Sequence, residues 1–425
     1  MTEKEVWDYI TELEKKGSVL GLTAVRELAA RVGNPQNDIP VIHIAGTNGK
    51  GSILAFVSTI LKAAGYRVGR YISPVLLDYR EKIQVNEKMI SKNALCEGMS
   101  LLRDQIALME KEGLPSPTLF EVETVLAFWY FKKKKCDFIV LETGMGGETD
   151  ATNIVDKPLA CVFSKISMDH MQFLGKDLQA IAKVKSGIIQ PGTYVISTLQ
   201  EPVVREVLEQ KAKEKNCDFS EMQMPENVHY GLQTQSFQYR DLKKCKITLA
   251  GCYQIENACV ALETIRSIQN FGICIPEAAI YQGLLETKWY GRFSILQKKP
   301  LFLVDGAHNE DAAKQLRQSM ICYLSGKPLI FIVGVLKDKE YEKVLGLTAD
   351  LASHILTVTP PNAQRALSAY ELAETAKKYC KSVTAAGSLE EAVEMASLLA
   401  GTECAIIAFG SLSFLGALKK MFEKP

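Results

Sequence analysis

One stretch constrains the fold more than any other: Val41-Ile42-His43-Ile44-Ala45-Gly46-Thr47-Asn48-Gly49-Lys50-Gly51-Ser52. An apolar, β-branched run ends in a glycine-rich turn, and a helical pattern begins at once. That is the layout of a phosphate cradle. Glycines let the backbone come close to phosphate oxygens, and N–H groups at a new helix N-terminus face the anion. In such a loop Gly46, Thr47, Asn48 and Gly49 supply the turn. Lys50 reaches the β- and γ-phosphates, and Ser52 offers its hydroxyl to Mg²⁺. The common P-loop puts Ser or Thr directly after the Lys. Here Gly51 intervenes, so the loop is a variant form. The alternative reading is a strand–helix turn that holds no ligand.

What surrounds this stretch sets the class. Short apolar runs at Val41–Ala45, Val68–Ile72, Phe138–Glu142, Ala160–Ser164 and Tyr194–Thr198 read as strands. Between them Ile53–Ala64, Asn93–Glu112, Thr118–Lys134 and Asp177–Ser186 read as helices. Alternation of this kind predicts an α/β fold, a mostly parallel sheet with helices on both faces. The pattern from Asn216 to Lys246 changes to short polar-alternating pieces, expected as an antiparallel edge, and helical signals return at Ile255–Phe271 and Ile275–Leu285.

A second alternating block starts near Pro300. Leu301–Val304, Leu329–Val335, His354–Val358, Ser382–Thr384 and Cys404–Phe409 read as its strands. At about 125 residues it is an ordinary domain in size. A chain of 425 residues is in any case too long for one ordinary domain. The expected division is therefore a P-loop-type domain over 1–296 and a smaller Rossmann-like α/β domain over 300–425, with a linker near Gln297–Pro300.

Charge and cysteine usage narrow the function classes. A net charge of +1 makes no electrostatic case for nucleic acid or an anionic membrane. The only basic block, Lys132 to Lys135, follows a helical pattern and reads as a solvated helix C-terminus. The eleven cysteines contain no Cys-x-x-Cys pair and sit mostly among apolar neighbours, as buried thiols do in a reducing compartment. Met1 to Lys16 is amphipathic, with Thr2 and Glu5 spaced as a capping box, and lacks a signal-peptide core. No apolar run approaches a membrane span. The expectation is a cytoplasmic protein.

The remaining chemistry collects at expected carboxyl ends of strands, where open α/β sheets bind ligands. Glu142 opens the segment Leu141-Glu142-Thr143-Gly144-Met145-Gly146-Gly147-Glu148-Thr149-Asp150-Ala151-Thr152-Asn153. A carboxylate there could hold Mg²⁺ or merely cap backbone N–H groups. His170, in Ile166-Ser167-Met168-Asp169-His170, lies at the same sheet edge. His43 sits inside a strand, and His229 and His354 have no reactive company. Lys185 is ambiguous, since a lysine near a helix end ordinarily pairs with the dipole and terminal carbonyls. In the second block, Val304-Asp305-Gly306-Ala307-His308-Asn309 and Gly410-Ser411 place polar groups at strand ends.

Taken together, these segments resemble the folylpolyglutamate synthase/dihydrofolate synthase family within the Mur-type amide ligases. The resemblance is an ordered series over nearly the whole chain. It runs through Gly46–Ser52, Ser73-Pro74, Phe120-Glu121, Glu142–Asn153, Asp169-His170, Lys185–Ile188, Tyr253-Gln254, Asn257-Ala258, Gly291-Arg292, Asp305–Asn309 and Arg365-Ala366-Leu367. It implies that ATP phosphorylates the terminal carboxylate of a reduced folate and that L-glutamate attacks the acyl phosphate.

By the same resemblance Lys50 neutralises the phosphates. Ser73, Glu142 and His170 match Mg²⁺ positions, with Ser52 on the nucleotide-bound ion and two ions in all. Lys185 matches a lysine that becomes carbamylated. Asn257 and Arg292 match contacts to adenine and phosphates, and Asp305, His308 and Ser411 match positions at the nucleotide and glutamate end. Phe120 and Asp150 match substrate positions, Asp150 near the pterin. Closure of one domain toward the other is expected to accompany catalysis, in a monomer whose partners are small molecules and not nucleic acid or membrane. Two departures bear on substrate range. Ser73-Pro74-Val75-Leu76 lacks the family's frequent histidine after the proline, and Glu148 replaces a frequent arginine. Polyglutamylation is therefore the implied activity, with dihydrofolate synthesis from dihydropteroate as the alternative.

Overall fold

The computed structural model describes residues 1–17, 21–361, 365–401 and 403–422. Eight strands form the first sheet: β1 (Val41–Ala45), β2 (Val68–Tyr71), β3 (Ile83–Val85), β4 (Lys88–Met89), β5 (Phe138–Glu142), β6 (Ala160–Phe163), β7 (Tyr194–Ser197) and β8 (Asp218–Glu221). Their order is β4-β3-β2-β5-β1-β6-β7-β8. The strands β2, β5, β1, β6, β7 and β8 run parallel, and β3 and β4 add an antiparallel edge. Every residue of β1 is buried, as a strand covered on both faces requires. One face carries a large apolar cluster that includes Phe128, Phe131 and Met99; another cluster, with Phe163, Ile181 and Val195, fills the β6–β7 side.

Since β1 lies between β5 and β6, the carboxyl ends of these three strands open side by side. The phosphate loop, Glu142 and the segment leading to His170 leave the sheet there. The helix Lys50–Ala63 follows β1 and buries Ser52 through Leu61 without interruption. It begins at Lys50, earlier than the apolar pattern alone suggested, so Gly51 lies within its first turn and does not lengthen the loop. Thr2 and Glu5 form the expected capping box on the first helix.

Two compact units account for the chain: 1–224 with 257–286, and 225–256 with 287–425. This departs from the linker expected at 297–300. That stretch instead belongs to a hairpin, in which β12 (Ser294–Lys298) pairs antiparallel with β13 (Leu301–Asp305). The antiparallel edge expected over 216–246 also divides. Its start, β8, pairs parallel with β7. The remainder is a separate three-stranded sheet of β9 (Glu226–His229), β10 (Gln235–Tyr239) and β11 (Leu242–Ile247) in the second unit. Polar alternation reports which face of a strand is wet, not which strand it pairs with. Gln235 fastens this small sheet within its unit. Its amide donates to the carbonyls of Leu249 and Gly251, and its oxygen accepts from the Tyr323 hydroxyl at 2.6 Å.

The second unit's larger sheet adds β14 (Leu329–Val333), β15 (Ala352–Thr357), β16 (Val383–Ala385) and β17 (Ala405–Phe409). Its order is β12-β13-β17-β14-β15-β16, parallel apart from β12. Apolar clusters cover both of its faces. No helix among the described residues is long and apolar enough to cross a membrane.

Candidate active site

The phosphate loop is held open by its glycines. Gly46 has φ +143° and Gly49 φ +94°, a backbone region that L side chains rarely adopt. A Cβ on Gly46 would collide with Ser164 Oγ, and one on Gly49 would come within 2.5 Å of Asn257 Oδ1. Between them the Thr47 and Asn48 N–H groups donate to the Lys165 carbonyl at 2.8 and 3.2 Å. The Thr47 hydroxyl exchanges hydrogen bonds with Ser167 at 3.0 and 3.1 Å. These contacts lash the loop to the segment after β6. No side chain caps the helix Lys50–Ala63 among the described residues, so its first-turn N–H groups are left for a ligand.

Cations and a carboxylate converge at that helix end. Lys50 Nζ donates to the Thr47 carbonyl at 3.3 Å and stands 3.9 Å from Glu142 Oε1. Glu142 is 6% exposed and accepts from the Ser73 backbone N–H at 3.4 Å. Lys185 is buried and donates to the Gly46 carbonyl at 2.9 Å. Burial, with the Lys50 charge beside it, pushes the Lys185 amine down to about 7. A large part of this buried lysine is therefore neutral near neutral pH. The loop 146–149 packs against its helix so closely that a Cβ on Gly147 would lie 2.7 Å from the carbonyl oxygens of Val184 and Lys185.

Next to this lies a second cluster. Asp150 is buried; Met145 N–H donates to its Oδ2 at 2.7 Å, and Thr152 N–H and hydroxyl donate to its Oδ1 at 3.0 and 2.5 Å. Burial pushes its pKa above the ordinary carboxylate value, and these donors oppose the rise. A Cβ on Gly144 would meet both Phe120 Cζ, at 2.5 Å, and Asp150 Oδ2, at 3.1 Å. The structure thus sets the two substrate candidates, Phe120 and Asp150, around one glycine.

His170 is placed differently. It has φ +50° and introduces the short helix Met171–Leu174. Its side chain is 43% exposed, with Nε2 3.9 Å from Asp169 Oδ2. Among the described residues no group of three or more His, Cys, Asp or Glu side chains is arranged to hold a metal.

In the second unit the carboxyl ends of β13 and β17 carry the candidates. Asp305 accepts from the Tyr253 hydroxyl, Phe293 N–H and Ala307 N–H, each at 2.8 Å. Burial pushes its pKa above the ordinary carboxylate value, with Arg292 and these donors opposing. A Cβ on Gly306 would collide with Arg292 Nη1 and with Leu412, the neighbour of Ser411. His308 Nδ1 lies 2.7 Å from the Gly306 carbonyl oxygen, and Ser411 Oγ lies 2.8 Å from Ser413 Oγ. Gly306 therefore gathers Arg292, Asp305, His308 and the β17 end in one corner.

Residues 44–265 match the Mur ligase middle domain, and residues 291–412 match the Mur ligase glutamate ligase domain. Folylpolyglutamate synthase from Lacticaseibacillus casei is 31% identical over 79% of this chain and 80% of its own. The chain belongs to the folylpolyglutamate synthase/dihydrofolate synthase family of Mur ligases. A dihydrofolate synthase/folylpolyglutamate synthase of Bacillus subtilis is 29% identical to this Mur ligase over 96% of each chain. The Mycobacterium tuberculosis folylpolyglutamate synthase complexed with ADP superposes on it with a TM-score of 0.90 at 27% identity, covering 100% of this chain and 99% of that one.

Some of the ligase's arrangement escaped sequence reasoning. His43 sits inside a strand, yet its Nε2 lies 2.9 Å from Thr152 Oγ1 and 3.1 Å from Thr143 Oγ1. Burial lowers its basicity to about 3, leaving a neutral ring. The spacing Asp150-x-Thr152 is an Asx-turn signature and was the available clue. Nothing in the sequence marked the Tyr253–Asp305 bond.

Proposed function

We propose that this ligase uses ATP to join L-glutamate to the γ-carboxylate of a tetrahydrofolate, giving ADP and phosphate, as a monomer in the cytoplasm. The observation that carries the reading is the uncapped helix end at Lys50, with Lys50, Glu142 and the carbonyl-bound Lys185 around it. Phosphoryl transfer needs little covalent help from a protein; it needs positioning and charge neutralisation. The loop N–H groups and Lys50 hold the nucleotide phosphates in that scheme. The folate carboxylate oxygen takes the γ-phosphoryl group, and the glutamate amine attacks the acyl carbon, loses a proton and displaces phosphate.

The donors present suit Mg²⁺, a hard cation that takes oxygen ligands. The buried Ser52 hydroxyl would hold the nucleotide-bound ion; Ser73, Glu142 and His170 would hold a second. When bound, such ions neutralise charge that develops on the phosphates. The depressed Lys185 amine favours the modification implied by the resemblance. A neutral amine attacks CO₂, one proton leaves, and the resulting carbamate offers oxygens where an ammonium would repel cations. In this reading Asn257 serves adenine, Phe120 and Asp150 the folate, Arg292 and Asp305 the nucleotide, and His308 and Ser411 glutamate.

A second reading adds dihydropteroate as a substrate. It is favoured by the Phe120–Asp150 corner, which could take a pterin with or without an attached glutamate. One assay separates the readings: ADP release with tetrahydrofolate plus glutamate, with dihydropteroate plus glutamate, and with a UDP-linked muropeptide and its amino acid. Full-rate release without any acceptor overturns the ligase mechanism.

A further inference from the structure

We propose that His43 and Thr152 are positioning residues that aim the Asp150 carboxylate at the folate, an inference that rests on the ligase reading above. Asp150 Oδ1 is filled by the Thr152 N–H and hydroxyl, and Oδ2 already takes the Met145 N–H. A carboxylate offers about four acceptor sites. The Gly144 backbone N–H also contributes to this carboxylate, and Oδ2 borders the gap that Gly144 leaves beside the Phe120 ring.

The Thr152 hydroxyl has a single proton and donates it to Asp150. Toward His43 that hydroxyl must therefore act as acceptor, so the 2.9 Å contact is a donation from His43 Nε2–H. This settles the tautomer. His43 Nδ1 is then bare, and it is indeed buried with no partner. An orphaned buried acceptor costs less than an orphaned N–H, so the reverse order of donors is disfavoured. The chain of donors runs from the centre of β1, through Thr152, to Asp150. Thr143 Oγ1, next to Glu142, also lies 3.1 Å from the same ring nitrogen. One imidazole thus fixes the carboxyl end of β5 and the substrate-side carboxylate at once. The hydrogen bonds that secure the phosphate loop run instead to Lys165, Ser167 and Lys185.

That separation makes the proposal testable by steady-state kinetics on the full-length protein. Wild type is compared with Thr152→Val, Thr152→Ser, His43→Leu, His43→Gln and the Thr152→Val/His43→Leu double variant. Removing a hydrogen bond that orients a charged group is expected to raise KM for the folate about tenfold in Thr152→Val and His43→Leu, with KM for ATP unchanged within about twofold. Thr152→Ser keeps the hydroxyl and His43→Gln keeps an N–H donor at the Nε2 position; both should restore most of the affinity. The double variant should be no worse than Thr152→Val, because the two residues act in series. Additive losses, KM values for folate and ATP rising together, or unchanged folate kinetics in Thr152→Val would each overturn the proposal. Should His43→Leu fail to fold, Thr152→Val, Thr152→Ser and His43→Gln decide the matter. A wild type without folate-dependent ADP release would overturn the ligase reading, and this proposal with it; an active wild type with unsplit variants overturns the proposal alone.

Discussion

Replacing Lys185 with methionine should stabilise the protein near neutral pH. Burial, reinforced by Lys50, lowers the amine from its ordinary 10.5 to about 7. At 1.36 kcal/mol per tenfold change, keeping an ammonium at this site costs on the order of 5 kcal/mol. Methionine fills similar space without charge and forfeits the hydrogen bond to the Gly46 carbonyl, worth ~1 kcal/mol. The net expectation is a gain of ~4 kcal/mol at and below about pH 7. The sign of the pH dependence follows from linkage. Between about 7 and 10.5 the unfolded chain holds a proton that the folded chain has released, so wild-type stability rises with pH across that window. The variant lacks this rise, and its advantage should vanish toward the upper end. Urea unfolding of both proteins in CO₂-depleted, nucleotide-free buffer at a series of pH values measures the difference, with unchanged m-values as the control. Parallel pH profiles, or a variant less stable than wild type at pH 7, would refute the reasoning. The same substitution should cost ligase activity, because a group held at such a desolvation cost is retained for function.

Two further outcomes follow from the loop. Lys50→Met should lower kcat by about a hundredfold to a thousandfold, the usual effect of losing one preorganised electrostatic group, with circular dichroism unchanged; a near-normal rate would remove Lys50 from the chemistry. Gly46→Ala places a Cβ against Ser164 Oγ at a positive φ and should reduce both nucleotide affinity and thermal stability, whereas Gly113→Ala, at a positive φ but with open space around it, should affect stability alone.

The strands β1, β2, β5, β6 and β7 and the helices Lys50–Ala63, Lys92–Lys111, Leu119–Lys133 and Leu178–Ser186 were legible because each carries one apolar period over a length that permits one reading, whereas the helices Thr23–Arg31 and Pro202–Glu214 and the short strands β3 and β4 were not read. The glycine-rich turn after β1 was legible for a different reason: its glycines at fixed offsets between a strand and a helix mark a turn that does not depend on distant residues. Pairing was not. Asp218–Glu221 and Glu226–His229 are short and half-polar; one joins a parallel sheet and the other an antiparallel sheet in a different unit. The boundary near 287 was equally hidden, since Ser294–Lys298 becomes a strand only through its partner Leu301–Asp305.

The sequence by itself determined that this chain is an α/β protein with a glycine-rich strand–helix turn, and which residue types stand at its strand ends. Those properties are local: backbone freedom, hydrophobic period and side-chain chemistry within a few residues. Only the tertiary structure decided the surroundings of those residues. Burial turned Lys185 from an ordinary helix-end cation into a weakly basic amine, and it made His43, an interior strand residue, the neutral donor behind Asp150. Desolvation and hydrogen-bond direction depend on neighbours that lie about a hundred residues away in the chain, and no local pattern carries that information.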